Sequence, residues 1–195
     1  MRAKSSLTPP PRPTAKELRA AIGKSIPDVI APQLDVLFCG INPGLYSAAT
    51  GCHFARPGNR FWPALYAAGF TPRRLQPWDR TELLACRCGV TNLVRRATVS
   101  ADELSAEALR GGARRLARTV ARWRPRAVAI VGIGAYRTAF GRLHAGLGRQ
   151  SEGLAGALVW VLPNTSGLNA NHRPLDFARA FRALRVALER VSTAR

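Results

Sequence analysis

Asn42 is the residue whose type and place most invite a chemical reading. It stands in "GINPGLYSAATGCHFARPGNRFW" (40–62), directly after the apolar run "DVLFCG", and is followed by Pro43, Gly44 and a stretch of small residues. An amide does not titrate near neutrality, so it cannot act as a general base. It can accept a hydrogen bond from a water and donate one to an oxygen. That suits a reaction with a good leaving group, in which positioning and electrostatics do most of the work. On pattern alone an equal reading is that Asn42 satisfies backbone groups of a turn.

Other chemistries lack their residues. "GINPG" does not fit G-x-G-x-x-G, and Pro43 removes a backbone N–H that a phosphate cradle would use. "GIGAY" (132–136) carries only the first two glycines, and neither a P-loop nor a G-x-S-x-G elbow occurs. No Asp or Glu lies between Asp35 and Asp79, so the paired carboxylates of common glycoside hydrolysis are missing from the loop. His53, His144 and His172 are scattered, and Cys86-Arg-Cys88 has one intervening residue where a metal or redox pair has two. No metal or cofactor is therefore expected, and Cys39, Cys52, Cys86 and Cys88 read as reduced structural thiols. A second polar loop, "PNTSGLNANH" (163–172), puts Leu168 among small polar residues. That is the setting of an apolar wedge that unstacks bases, and equally of a side chain folding back on the core.

The elements that must position these loops follow from periodicity. Residues 35–40, 127–132 and 157–162 are apolar without polar alternation, as strands buried on both faces are. "GVTNLV" (89–94) is a further β-prone stretch. Helices are expected over "AKELRAAIG" (capped by Thr14 and Glu17, closed by Gly23), over "RFWPALYAAG" (capped by Asn59) and, as a short one, within "PWDRTELLAC" (capped by Asp79). A long helix should run from the Ser100-x-x-Glu103 box to Trp123, with a kink or break at Gly111-Gly112. "AYRTAFGRL" and a final segment opened by Pro174, with Phe177, Phe181, Leu184 and Leu188 on one face, complete the set. Strand–helix alternation of this kind means an α/β fold, three layers α/β/α around a mainly parallel central sheet. Ligands bind such sheets beyond the carboxyl ends of the strands, where both polar loops fall.

The chain has 195 residues, a formal net charge of +19 and a pI near 11.6. Twenty-seven arginines stand against Lys4, Lys16 and Lys24, and the arginine fork suits bidentate phosphate contacts. Nucleic acid is the expected partner, with a merely solvated basic surface as the plain alternative. No apolar run approaches the ~20 residues that span a bilayer. Residues 1–26 read as a flexible basic tail able to form one short helix, and 27–195 as one domain. A soluble cytoplasmic protein, monomeric and of bacterial type, is expected.

Taken in order, "FCGINPGL" (38–45), "GNRFW" (58–62), "RCGVTNLV" (87–94) and "VLPNTSGL" (161–168) resemble the mismatch-specific uracil/thymine-DNA glycosylase family of the uracil-DNA glycosylase superfamily. The resemblance covers roughly residues 27–190. It implies hydrolysis of the N-glycosidic bond of uracil in double-stranded DNA, chiefly in a G:U mismatch, to initiate base-excision repair. Thymine, ethenocytosine and 5-substituted uracil are further implied substrates. In the resemblance Asn42 matches the water-positioning asparagine, and Phe54 the aromatic that stacks on the flipped base. Ile41 matches the pocket wall, and Leu168 the wedge, with Gly167 and Asn169 beside the widowed guanine. Ser47, and next to it Tyr46, stand where a gate at the pyrimidine 5-position would be. Asn92 replaces the lysine of the "VTKLV" form in bacterial relatives, Ala170 an arginine after the wedge, and Thr165 a common proline. A superfamily glycosylase with single-strand or deaminated-purine preference, or a non-catalytic DNA-binding protein on the same fold, are the alternatives.

Overall fold

The computed structural model describes residues 10–167 and 172–193. Among them lie helices α1 (Ala15–Ala20), α2 (Leu45–Thr50), α3 (Phe61–Ala67), α4 (Arg80–Ala85), α5 (Ala106–Trp123), α6 (Ile133–Phe140) and α7 (Pro174–Thr193). The strands are β1 (Val36–Gly40), β2 (Cys88–Asn92), β3 (Ala127–Val131), β4 (Gly148–Arg149) and β5 (Leu158–Leu162). They form one sheet in the order β2-β1-β3-β5-β4, in which only the edge strand β4 runs antiparallel. Of the four parallel strands, β1, β3 and β5 are those expected from apolar runs, and β2 falls on the β-prone stretch "GVTNLV". The two-residue β4 has no such run and was not foreseeable from periodicity.

Alternation along the strands sorts the core into two layers. Val36 and Phe38 of β1, with Val90 of β2, face α3 and α7 and meet Phe61, Leu65, Phe177, Phe181, Leu184 and Leu188. Leu37 and Cys39 point the other way, against Leu109, Leu116 and Val120 of α5 and Tyr136 of α6. This is the three-layer α/β/α arrangement. Phe38 sits at the centre of an aromatic cluster, edge-on to Phe61 (5.3 Å) and Phe70 (5.5 Å) and stacked on Phe181 (5.7 Å).

Several local expectations change. Helix α5 is continuous through Gly111-Gly112. Gly112 is there for clearance, since a Cβ at that position would lie 2.3 Å from the Leu93 carbonyl oxygen. The Ser100–Glu103 box caps only a 3-10 turn over Ala101–Glu103, and Ser105 caps α5 itself through the Ala108 N–H (3.1 Å). Asp79 precedes α4, but its buried carboxylate takes the Gln76 N–H (2.9 Å) and pairs with Arg73 (3.1 Å). Asn59 does hold the start of α3, through the Phe61 N–H (2.9 Å).

Residues 14–26, read from sequence as part of a flexible tail, are anchored. Thr14 and Glu17 form the reciprocal capping box of α1. Ala21 and Ile26 are buried with Ala48 of α2 and Ala97, and the Gly23 N–H and Lys24 carbonyl bond residue 97 in both directions. The apolar positions that do this, 21 and 26, are too few to register as helical periodicity.

Candidate active site

The strand tips at the carboxyl edge of the sheet carry the residues of interest. Gly40 ends β1 opposite Asn92, the last residue of β2. Pairing then continues past the strands, with the Leu93 and Val94 N–H groups on the carbonyls of Gly40 and Ile41 (both 2.8 Å). The chain turns at Asn42-Pro43-Gly44 into α2, with Gly44 as its N-cap.

Asn42 is held by its amide nitrogen. Nδ2 donates to the Thr98 hydroxyl (2.7 Å) and to the Arg96 carbonyl (3.2 Å). The Thr98 hydroxyl in turn donates to the Ser100 carbonyl (2.6 Å), so towards Asn42 it can only accept. Both neighbours being acceptors, the amide orientation is fixed by chemistry. Its Oδ1 takes no hydrogen bond among the described residues and is left as an acceptor at the strand tip. Thr98, 56 residues away in sequence, is the partner that no local pattern could indicate.

Phe54 adopts a left-handed backbone (φ 53°), uncommon for a non-glycine residue. Its ring lies flat on Phe61, centroids 4.0 Å apart and planes 13° from parallel, and so rests on the aromatic cluster of the core. A Cβ at Gly40 would come within 2.5 Å of Asn92 Oδ1 and 3.2 Å of Phe54 Cζ. Gly40, Phe54 and Asn92 therefore converge on the α3–α7 side of the sheet, and only glycine leaves room for them.

Asn92 belongs to a buried relay. The Pro27 carbonyl can only accept, so His53 Nε2 carries the proton of that bond (3.0 Å). In a neutral ring Nδ1 is then an acceptor, and Asn92 Nδ2 donates to it (3.2 Å). Burial pushes the His53 pKa down, against the Pro27 bond and Asp28, which favour the charged form. The Asn92 main-chain carbonyl is bound by the Arg115 guanidinium from α5. His53 is thus a buried hydrogen-bonding residue with both ring nitrogens engaged. Its burial among Cys52, Phe54 and Trp62 was not evident from a lone histidine in a loop.

The remaining expected residues are distributed as follows. The Ile41 side chain lies on the other face of the sheet, in the α5–α6 layer, where a Cβ at Gly132 would meet its Cδ1 at 3.0 Å. Ser47 is buried, its hydroxyl accepting the Ala55 N–H (3.1 Å), so it braces the turn that carries Phe54. Tyr46 is half-buried on α2. Gly167 is exposed, and a Cβ there would sit 3.0 Å from the Gly58 carbonyl oxygen. Arg60 ties the two loops together, its N–H on the Thr165 carbonyl (2.9 Å) and its guanidinium on that of Ser166 (3.2 Å). Leu168, Asn169 and Ala170 lie outside the described residues. Arg56, Arg95 and Arg96 are exposed along this edge. A cavity of about 1170 Å³ lined by Asp35, Arg124, Arg126 and Leu158 lies at the opposite, amino edge of the sheet. There Asp35 clamps Arg87 (3.0 Å) and Arg126 (2.9 Å).

The edge thus offers a fixed amide oxygen, a supported aromatic ring, a second buried amide and a basic rim. The loop between Asp35 and Asp79 contributes no carboxylate to it. The solution structure of a Methanosarcina acetivorans protein described as a candidate uracil DNA glycosylase is similar in fold, with a TM-score of 0.54 and 19% identity, covering 84% of this chain and 99% of that one. Residues 27–185, which include both loops, match the description Uracil DNA glycosylase superfamily. The chain belongs to the uracil DNA glycosylase superfamily and is, with it, a DNA glycosylase.

Proposed function

We propose that the enzyme removes uracil from double-stranded DNA, preferring uracil opposite guanine, by attack of a water held on Asn42 Oδ1. The observation that carries this reading is the locked Asn42 amide. With Nδ2 committed to Thr98 and Arg96, the oxygen can only accept, and it orients a water without deprotonating it. The target base must leave the duplex to be reached, at an unstacking cost of a few kcal/mol. Phe54, held flat against Phe61, is the ring on which that base would stack.

Asn92 reads the base edge in this account. Uracil presents an N3–H donor beside an O4 acceptor, whereas cytosine presents the reverse. The His53 relay turns Asn92 Oδ1 towards Gly40, where it accepts from N3–H. A neutral His53 cannot donate from Nδ1, so the amide has no reason to flip into the orientation suiting cytosine. Uracil leaves as an anion, helped by main-chain N–H groups near residues 41–54, while the sugar passes through oxocarbenium character. Without a catalytic carboxylate, poor leaving groups are removed slowly. Gly167, Leu168 and Asn169 are assigned to the gap in the duplex and the widowed guanine on the resemblance of "NTSGLN" alone.

Single-turnover excision from otherwise identical G·U, A·U and G·T duplexes and from single-stranded uracil tests the preference. G·U should be fastest, by tenfold or more over A·U. Equal rates on G·U, A·U and single strands would replace mismatch preference by general uracil removal.

A further inference from the structure

A second basic surface lies away from the strand tips, between α7 and the free edge of the sheet. Arg149 of β4 pairs with Trp160 of β5, so the two side chains project from the same face of the sheet. Helix α7 turns its core stripe, Phe177, Phe181, Leu184 and Leu188, inward. A different stripe at helical spacing, Arg179, Arg182, Ala183, Val186, Ala187 and Arg190, faces the edge. These residues, with Arg149 and Trp160, enclose a groove of about 550 Å³ that no carboxylate lines among the described residues. Its floor is apolar, its indole is half-buried, and its rim carries four guanidinium groups. From Arg179 to Arg190 it runs ~16 Å at 1.5 Å per residue.

We propose that this groove binds a short stretch of single-stranded nucleic acid, one base stacked on Trp160 and the flanking phosphates on Arg149, Arg179 and Arg182. The composition selects that occupant. An acidic peptide would satisfy the arginines but leave the indole and the Ala183–Val186–Ala187 floor without a matching flat partner. Duplex DNA would present phosphates with its bases turned inward, away from the indole. A nucleotide in a single strand offers both a charged backbone and an apolar face, the pairing that single-strand grooves use. The two-residue strand β4 is the last of the sheet, so the groove lies at the sheet's free edge, with the indole only half-buried. The proposal does not depend on uracil removal, and its probe contains no uracil.

The test uses the full chain with a fluorescent fifteen-residue thymidine oligonucleotide, and an abasic oligomer of equal length and charge. Binding is followed by anisotropy and by tryptophan fluorescence. The thymidine oligomer should quench tryptophan emission and the abasic one should not. Trp160→Phe, which keeps the apolar volume, should lose most of the quench. The double variant Arg149→Gln/Arg179→Gln alters two exposed side chains. It should weaken thymidine binding about tenfold or more, and should flatten the dependence of log K on log[salt] by ~1.4, at ~0.7 per lost phosphate contact on single strands. Thermal melting confirms that both variants fold. Unchanged affinity in the arginine variant, or equal behaviour of thymidine and abasic oligomers, would overturn the proposal and leave the groove a solvated basic face. Retention by an acidic peptide with no thymidine quench would overturn it in favour of a protein partner.

Discussion

His53 links a buried hydrogen-bond relay to the pH dependence of stability. Its ring titrates near pH 6.5 in an unfolded chain, and burial lowers that value in the folded one. Between the two values the unfolded chain binds more protons. The stability tied to the neutral ring is therefore fully present above about pH 6.5 and is lost as pH falls towards the folded value. The glutamine of a His53→Gln variant can still donate to Pro27 and accept from Asn92, but it does not titrate. The variant's melting temperature should fall less between pH 7 and pH 5 than that of the wild type. An identical fall in both proteins would mean that His53 carries no such linkage. At this scale the sequence indicated Asn42, Phe54 and Asn92 through motif order. It could not show what holds them, because the partners Thr98, Pro27 and Arg115 are distant in the chain and of ordinary type.

Helix α5 joins the layer structure to the site. It donates Arg115 to the Asn92 carbonyl, and it approaches the end of β2 closely enough that Gly112 nearly touches Leu93. The two adjacent glycines should therefore respond in opposite directions. Around Gly111 the nearest heavy atom to an added Cβ is Arg114 Nη2 at 3.8 Å, so Gly111→Ala should stabilise by about 0.5–1 kcal/mol through helix propensity. Gly112→Ala gains the same propensity but drives a methyl into the Leu93 carbonyl, and should destabilise by about 2 kcal/mol. Urea denaturation of the two variants measures both signs. The adjacent glycines read in sequence as a helix breaker, and propensity alone gives that answer. The close approach of another backbone, invisible in one dimension, is what requires the second glycine. Strands β1, β3 and β5 were legible because both faces are buried, which leaves an uninterrupted apolar run. Strand β4 was not, since two residues on an exposed edge carry no such signature.

The whole molecule is a sheet with the candidate site at one edge and a charge of +19 spread over the chain. Arg56, Arg95 and Arg96 are exposed beside Asn42 and Phe54, so duplex affinity should be dominated by phosphate contacts and counterion release. If about six phosphates are engaged, raising salt from 50 to 200 mM should weaken duplex binding by ~10³-fold. A change below tenfold, followed by anisotropy, would show that the basic rim is a solvated surface and not the DNA contact. The overall charge was plain from composition; its placement at the strand tips and along the α7 groove required the fold. Whether Asn42 holds the attacking water is tested by single-turnover uracil release from a G·U duplex by wild type and Asn42→Ala, with duplex affinity measured alongside. Asn42→Ala should lose about 10²-fold or more in release rate with affinity within a few-fold of wild type. A release rate close to wild type would contradict that role for Asn42.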